Sequence, residues 1–170
     1  MRKEWLIGLA AILVLGAVSF VWLAPRGGEP APDITFRMLD GEAVALSEYR
    51  GEPVMIQFWA TDCPTCIREM PELVTLYEDL GPAGFNLVGV AMDYDPEDRV
   101  RNLVERRALP YPIALDDGAA VASAFDNVRV TPTTVLIDGE GRIVWQRIGL
   151  LDFERLHEEI RELLPEAQSA

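Results

Sequence analysis

The sequence predicts an α/β domain whose mixed sheet is covered by helices on both faces. Three observations carry that prediction. First, Val54–Trp59 is an almost unbroken apolar run, as in a strand buried on both sides, and a helix-spaced apolar pattern over Pro64–Leu80 follows it directly. Second, residues 85–92 form another such strand, and a helix start over residues 95–98 follows, which makes a β-α-β opening. Third, residues 135–137 and 143–148 flank Asp138-Gly139-Glu140-Gly141, a hairpin pattern, before an amphipathic closing helix.

Taken in order, the chain of 170 residues begins with Arg2 and Lys3 and then runs from Trp5 to Ala24 without a charge. Twenty uncharged residues match a helix crossing a bilayer core of ~30 Å, and the basic flank predicts a cytoplasmic amino terminus. An uncleaved anchor over residues 1–25 fits this better than a cleaved leader, because the apolar run continues past the small-residue site at Ala17-Val18-Ser19. Residues 26–32, rich in Gly and Pro, read as a linker, residues 33–165 as the domain and residues 166–170 as a tail. Within the domain, residues 34–38 and 43–46 flank an Asp40-Gly41 turn, and residues 47–51 read as one helical turn stopped by Gly51. The helix over Pro64–Leu80 places Ile67, Met70, Leu73, Val74, Tyr77 and Leu80 at core spacing, with Pro71 predicted to kink it and Gly81 to stop it. Asp95 is the expected cap and Pro96 the first residue of a helix reaching about Ala108. Residues 110–114 are short and extended, residues 118–125 a short helix, and residues 152–164 the last helix.

Charge excludes some functions. The net charge is −13, and without Arg2, Lys3, Glu4 and Arg26 it is −15, from 27 acidic and 12 basic residues. Nonspecific nucleic-acid binding needs a basic surface, and anionic lipid repels an acidic one, so tethering falls to the anchor. The two cysteines, Cys63 and Cys66, stand where the central strand turns into its helix. A helix N-terminus favours a thiolate, and two intervening residues let the second thiol close a disulfide onto the first. As a staple the pair would close almost no loop and stabilise little. The arrangement therefore points to thiol–disulfide exchange.

Phe58-Trp59-Ala60-Thr61, Cys63-Pro64-Thr65-Cys66, Glu69-Met70-Pro71 and Val130-Thr131-Pro132-Thr133-Thr134 together resemble the thioredoxin superfamily. Within it, the chain is similar to the membrane-anchored TlpA/ResA-like disulfide reductases, from about residue 31 to residue 164. The resemblance implies a thioredoxin-like fold with a central mixed sheet, an added N-terminal β-hairpin and a helical insertion near residues 97–108, preceded by one transmembrane helix. It implies that Cys63 is the exposed attacking thiolate and the more buried Cys66 the resolving thiol. Pro132 matches the cis-proline facing the pair, with Thr131 offering backbone to a bound peptide; Trp59, Pro64 and Thr65 complete the implied substrate surface. Spacing alone makes Glu69 a carboxylate suited to the helix dipole; the resemblance implies that it tunes the cysteines. Gln57 strengthens that role, since thioredoxin keeps an aspartate six residues before its first cysteine. Asp62 departs from the family's usual tryptophan: it either opposes the neighbouring thiolate or caps the helix.

No histidine lies between the cysteines, and the sole one, His157, is expected on the surface of the last helix. The thiolate then gains little extra stabilisation, which favours the reductase direction. The implied partners are protein disulfides, apocytochrome c among the candidates, and a membrane thiol carrier as electron donor, with no cofactor and no metal. The expected location is the cytoplasmic membrane, with the domain on its far side. A peroxiredoxin-type peroxidase is a rival, weakened by Ala60 three residues before Cys63, where those enzymes need Thr or Ser. A metal chaperone on the same scaffold is another, weakened because two cysteines supply half of a closed zinc site.

Overall fold

The computed structural model describes residues 28–165. The expected anchor and tail lie outside the described residues, among which no helix is long and apolar enough to cross a membrane. Seven strands are formed: β1 (Thr35–Met38), β2 (Ala43–Ala45), β3 (Val54–Trp59), β4 (Asn86–Ala91), β5 (Ile113–Leu115), β6 (Thr133–Ile137) and β7 (Ile143–Ile148). Among the described residues four α-helices join them: α1 (Pro64–Leu80), α2 (Glu97–Arg107), α3 (Ala120–Ala124) and α4 (Phe153–Leu163). The sheet order is β2-β1-β5-β4-β3-β6-β7. The β3–β4 and β4–β5 pairs are parallel, while β1–β2, β1–β5, β3–β6 and β6–β7 are antiparallel. This is the expected mixed sheet, with the N-terminal hairpin on one edge and the C-terminal hairpin on the other.

All six residues of β3 are buried, and the two-residue period of a strand deals them alternately to two cores. Val54, Ile56 and Phe58 join Phe36, Val88, Val90, Phe125 and Val135 on one face, where α3 packs. Met55 and Trp59 join Met70, Leu73 and Leu76 of α1, Val100 and Leu103 of α2, and Leu156 and Ile160 of α4 on the other. Gln57, between Met55 and Trp59, therefore points towards α1 rather than α3.

Several boundaries differ from expectation, each for a local reason. The chain joins the sheet before residue 33: Pro30 bridges Arg142, and Ile143 N donates to Glu29 O at 2.8 Å. α1 ends at Leu80 with Gly81 as its C-cap, as expected, but Gly81 is right-handed and opens a 3₁₀ turn that ends at Gly84, whose φ of 100° suits glycine. Pro71 lies inside α1, as expected. The short helix of residues 118–125 divides into a 3₁₀ turn over Asp117–Ala119 and α3, because Gly118 and Ala119 are left-handed. The Asp116 carboxylate restarts it by accepting from Val121 N at 2.8 Å. Asp95 does not cap α2: Pro96 is the cap residue, and the Asp95 side chain turns elsewhere.

Candidate active site

At the end of β3 the chain makes one turn, closed by Cys63 N donating to Ala60 O at 3.2 Å, and enters α1. Cys63 is the N-cap and Pro64 the first helical residue, where a missing N–H costs nothing. Cys63 Sγ accepts from Cys66 N at 3.2 Å, so the sulfur sits where the free amides of the helix converge. Cys63 and Cys66 form a disulfide with Cα atoms 5.3 Å apart. Cys63 keeps 8% of its surface and Cys66 1%, so in the oxidised form both are largely buried, with Cys63 the more accessible. Pro64 is exposed and Thr65 half-buried beside them.

Beneath the disulfide lies a carboxylate. Glu69, one turn after Cys66 on the same side of α1, is 4% exposed. Its Oε1 accepts from Leu151 N at 2.8 Å, and its Oε2 is 3.5 Å from Gln57 Nε2. Burial pushes the Glu69 carboxyl above its ordinary value, against the Leu151 amide and the Arg68 charge, which act to lower it. Gln57 is itself buried and stands opposite Thr134 in the β3–β6 register. The Thr134 hydroxyl has no partner, so the layer between sheet and helix holds several polar groups with few bonds among them. Glu69 and Gln57, 12 residues apart in sequence, meet here.

The third component precedes β6. The Thr131–Pro132 peptide bond is cis, Pro132 is buried, and its carbonyl accepts from Gly149 N at 2.8 Å. Thr133 Oγ1 donates to Val130 O at 2.6 Å, closing the loop. Around it the surface is apolar: Val130, Ile148 and Leu150 are 53%, 69% and 67% exposed.

A cysteine pair at a helix N-terminus, a buried glutamate below it and a cis-proline loop are joined by similarity to known proteins. The family model described as Redoxin matches residues 26–158. The thiol–disulfide oxidoreductase ResA of Halalkalibacterium halodurans is 38% identical over 143 residues, covering 84% of this chain and 80% of that one. The chain belongs to the ResA-like thiol–disulfide oxidoreductases of the redoxin family. The ResA of Bacillus thuringiensis (strain Al Hakam) is 31% identical over 97% of this chain and all of its own. A Neisseria meningitidis protein described as a thioredoxin, solved in solution, superposes with a TM-score of 0.75 at 31% identity, covering 84% of this chain and 95% of that one. The fold is thus thioredoxin-like, the activity is thiol–disulfide exchange, and protein disulfides are the substrate class.

For a ResA-like enzyme, two expectations about individual residues need correction. Trp59 is 1% exposed, with its indole nitrogen over Gly89, where an added Cβ would approach it to 3.1 Å. It packs the core under the redox turn and offers no surface to a substrate. Asp62 is exposed but does not cap α1, because Cys63 occupies that position. His157 is half-buried, with Nε2 3.7 Å from Asp79 Oδ2. The backbone amide of Leu151 went unseen, since a main-chain donor leaves no mark on residue identity. Asp95 was assigned the wrong task, because an aspartate before a proline is also a good cap signal.

Proposed function

We propose that this ResA-like enzyme reduces protein disulfides on the far side of the cytoplasmic membrane, with Cys63 as nucleophile, Cys66 as resolving thiol and Glu69 as their proton partner. The supporting observation is the placement of the Cys63 sulfur on the α1 amides with a buried Glu69 below. In the reduced enzyme the Cys63 thiolate attacks a sulfur of the client disulfide. An S–S bond to the client forms, the client's own bond breaks, and one client thiolate leaves and takes a proton. The Cys66 thiol gives its proton to Glu69 and attacks the Cys63 sulfur, displacing the second client thiolate. The client gains two electrons, and the Cys63–Cys66 disulfide remains to be reduced by a membrane thiol carrier. Glu69 suits the middle step because a carboxyl raised by burial holds a proton closer to neutral pH than a solvated one.

Thr131 and Pro132 would hold the client backbone beside Pro64 and Thr65, with Val130, Ile148 and Leu150 as an apolar rim for its side chains. An open rim fits a protein segment better than a small molecule, and apocytochrome c with an oxidised cysteine pair is a suitable client. Residues 1–25 would anchor the chain. The described residues are fixed to the β6–β7 turn at Glu29 and Pro30, by the end of the sheet where β3 begins, with Val54 opposite Ile137. The cysteines follow the other end of β3, about 20 Å along a six-residue strand. An anchored domain would thus turn its redox pair away from the bilayer.

The test is to express Cys66→Ala in the native host and identify proteins caught as mixed disulfides. Capture of a protein with an oxidised cysteine pair is expected; capture of none would overturn the exchange role in that host. Redox titration tests direction: a potential as oxidising as ~−120 mV would reverse the reductase assignment.

A further inference from the structure

The acidic residue that fails to cap α2 has another task. Asp95 is 9% exposed, yet it belongs to no ion pair among the described residues. Its two carboxylate oxygens both turn to Thr61: Oδ2 accepts from Thr61 N at 2.5 Å and Oδ1 from Thr61 Oγ1 at 2.6 Å. Bonds of this length to a carboxylate are at the strong end for neutral donors. Thr61 is the second residue of the Ala60–Cys63 turn, two positions before the Cys63 sulfur.

The holder is itself held. Asp95 N donates to Met92 O at 3.0 Å, and Met92 N donates to Trp59 O at 3.0 Å, so the loop after β4 is tied to the end of β3. On its other side, Glu97 opens α2 and pairs with Arg37 at 3.4 Å and with Arg101 at 2.7 Å. Arg37 also binds Asp117, and Arg101 donates to Leu39 O at 2.5 Å. Asp95 thus projects from a segment fixed to the N-terminal hairpin and to the central strand. A side chain that served only the loop's own folding would have no reason to reach across to Thr61 with both oxygens.

We infer that Asp95 is a positioning residue for thiol–disulfide exchange: its carboxylate clamps the Thr61 amide and hydroxyl and so holds the Cys63 sulfur on the N-terminal amides of α1. The inference rests on Cys63 as the nucleophile. With the clamp in place the turn enters α1 at one angle, and the sulfur reaches the Cys66 amide without the turn having to order itself in each cycle. Released, Thr61 would exchange its two bonds for water, and the turn would spread over several conformations in the reduced enzyme. The thiolate would then lose part of its stabilisation by the helix amides.

A clamp and a bare negative charge predict opposite results, which makes the inference testable on the full chain. Removing a nearby charge would lower the Cys63 pKa and make the enzyme more oxidising. Removing a clamp does the reverse. For Asp95→Ala we expect the Cys63 pKa, read from the pH profile of iodoacetamide alkylation, to rise. We expect the rate of insulin disulfide reduction to fall about tenfold, the scale of one strong hydrogen bond. The dithiol–disulfide equilibrium against glutathione should shift towards the disulfide by up to about tenfold, some 30 mV more reducing. Asp95→Asn keeps an acceptor for the Thr61 amide and should recover most of the rate. Thr61→Val should lie between wild type and Asp95→Ala, and the double variant should be no worse than Asp95→Ala alone.

An alkylation pKa and potential that stay at wild-type values in Asp95→Ala would overturn the inference even if its melting temperature drops, since that is a purely structural role. So would a shift to lower pKa, an Asp95→Asn variant as impaired as Asp95→Ala, or full additivity with Thr61→Val. Cys63→Ala separates the two levels: exchange surviving there removes the nucleophile assignment and the clamp together. Inactivity of Cys63→Ala beside an unimpaired Asp95→Ala removes the clamp alone.

Discussion

The two faces of β3 are built from alternate residues of one six-residue strand, yet they are different materials. On the α3 face, Val54, Ile56 and Phe58 join an apolar cluster, with Phe58 and Phe125 edge to face at 5.9 Å between centroids, and the buried Thr133 opposite Phe58 has its hydroxyl satisfied by Val130 O. On the α1 face, Gln57 sits between Met55 and Trp59, with Glu69 above it, the unpartnered Thr134 hydroxyl opposite, and the Trp59 indole N–H also without a partner. Buried polar groups with incomplete hydrogen bonding cost stability. One face therefore supplies cohesion. The other gives some up to hold a buried carboxyl one helical turn after Cys66.

That contrast can be broken from either side. The largest chemical effect is expected from Cys63→Ser, which should abolish insulin disulfide reduction while changing the unfolding midpoint of the reduced protein little. Retained turnover would place the nucleophile elsewhere. The largest stability effect is expected on the opposite face: Phe58→Ala should cost about 3–5 kcal/mol in denaturant unfolding through the cavity it leaves. Its reduction potential should stay near wild type. A large shift in potential would mean that the two faces are not energetically separate.

Glu69→Gln probes the polar face with a smaller expected effect. A carboxyl whose value is raised in the folded state favours folding while protonated, below its unfolded value. That contribution is lost as pH rises from about 4.5 through the raised folded value. Relative to Glu69→Gln, the wild-type protein should lose stability over that interval, and the variant should lack this component. Its exchange rate should also lose the inflection belonging to Glu69. Parallel stability curves for the two proteins from pH 4 to 8 would contradict the burial effect on Glu69. The smallest effect is expected at the rim, where Ile148→Asn should weaken client binding by about threefold, on the scale of an exposed apolar contact, and leave alkylation of Cys63 unchanged. An altered alkylation rate would show that the rim reaches the sulfur.

Much of this was legible in residue order. The strand–turn–helix around Cys63 and Cys66, the β-α-β opening and the final hairpin depend on local periodicity and on Gly and Pro, which act over a few residues. Gln57 and Glu69 were linked only through the family resemblance, since 12 residues separate them. Asp95 marks the limit. An aspartate before Pro96 satisfies the local rules for a helix cap, but the better partner was Thr61, 34 positions earlier, brought near by the parallel pairing of β3 and β4. Trp59 shows a different limit: the apolar run put it in a buried strand and the resemblance put it on the substrate surface, and strand parity with the space over Gly89 buries it. By itself the sequence determined the redox pair, its helix and the class of sheet, because those follow from spacing along the chain. Only the tertiary structure decided that Glu69 is buried against the Leu151 amide and that Asp95 turns to Thr61, because a side chain's partner is set by what the fold brings within about 3 Å of it.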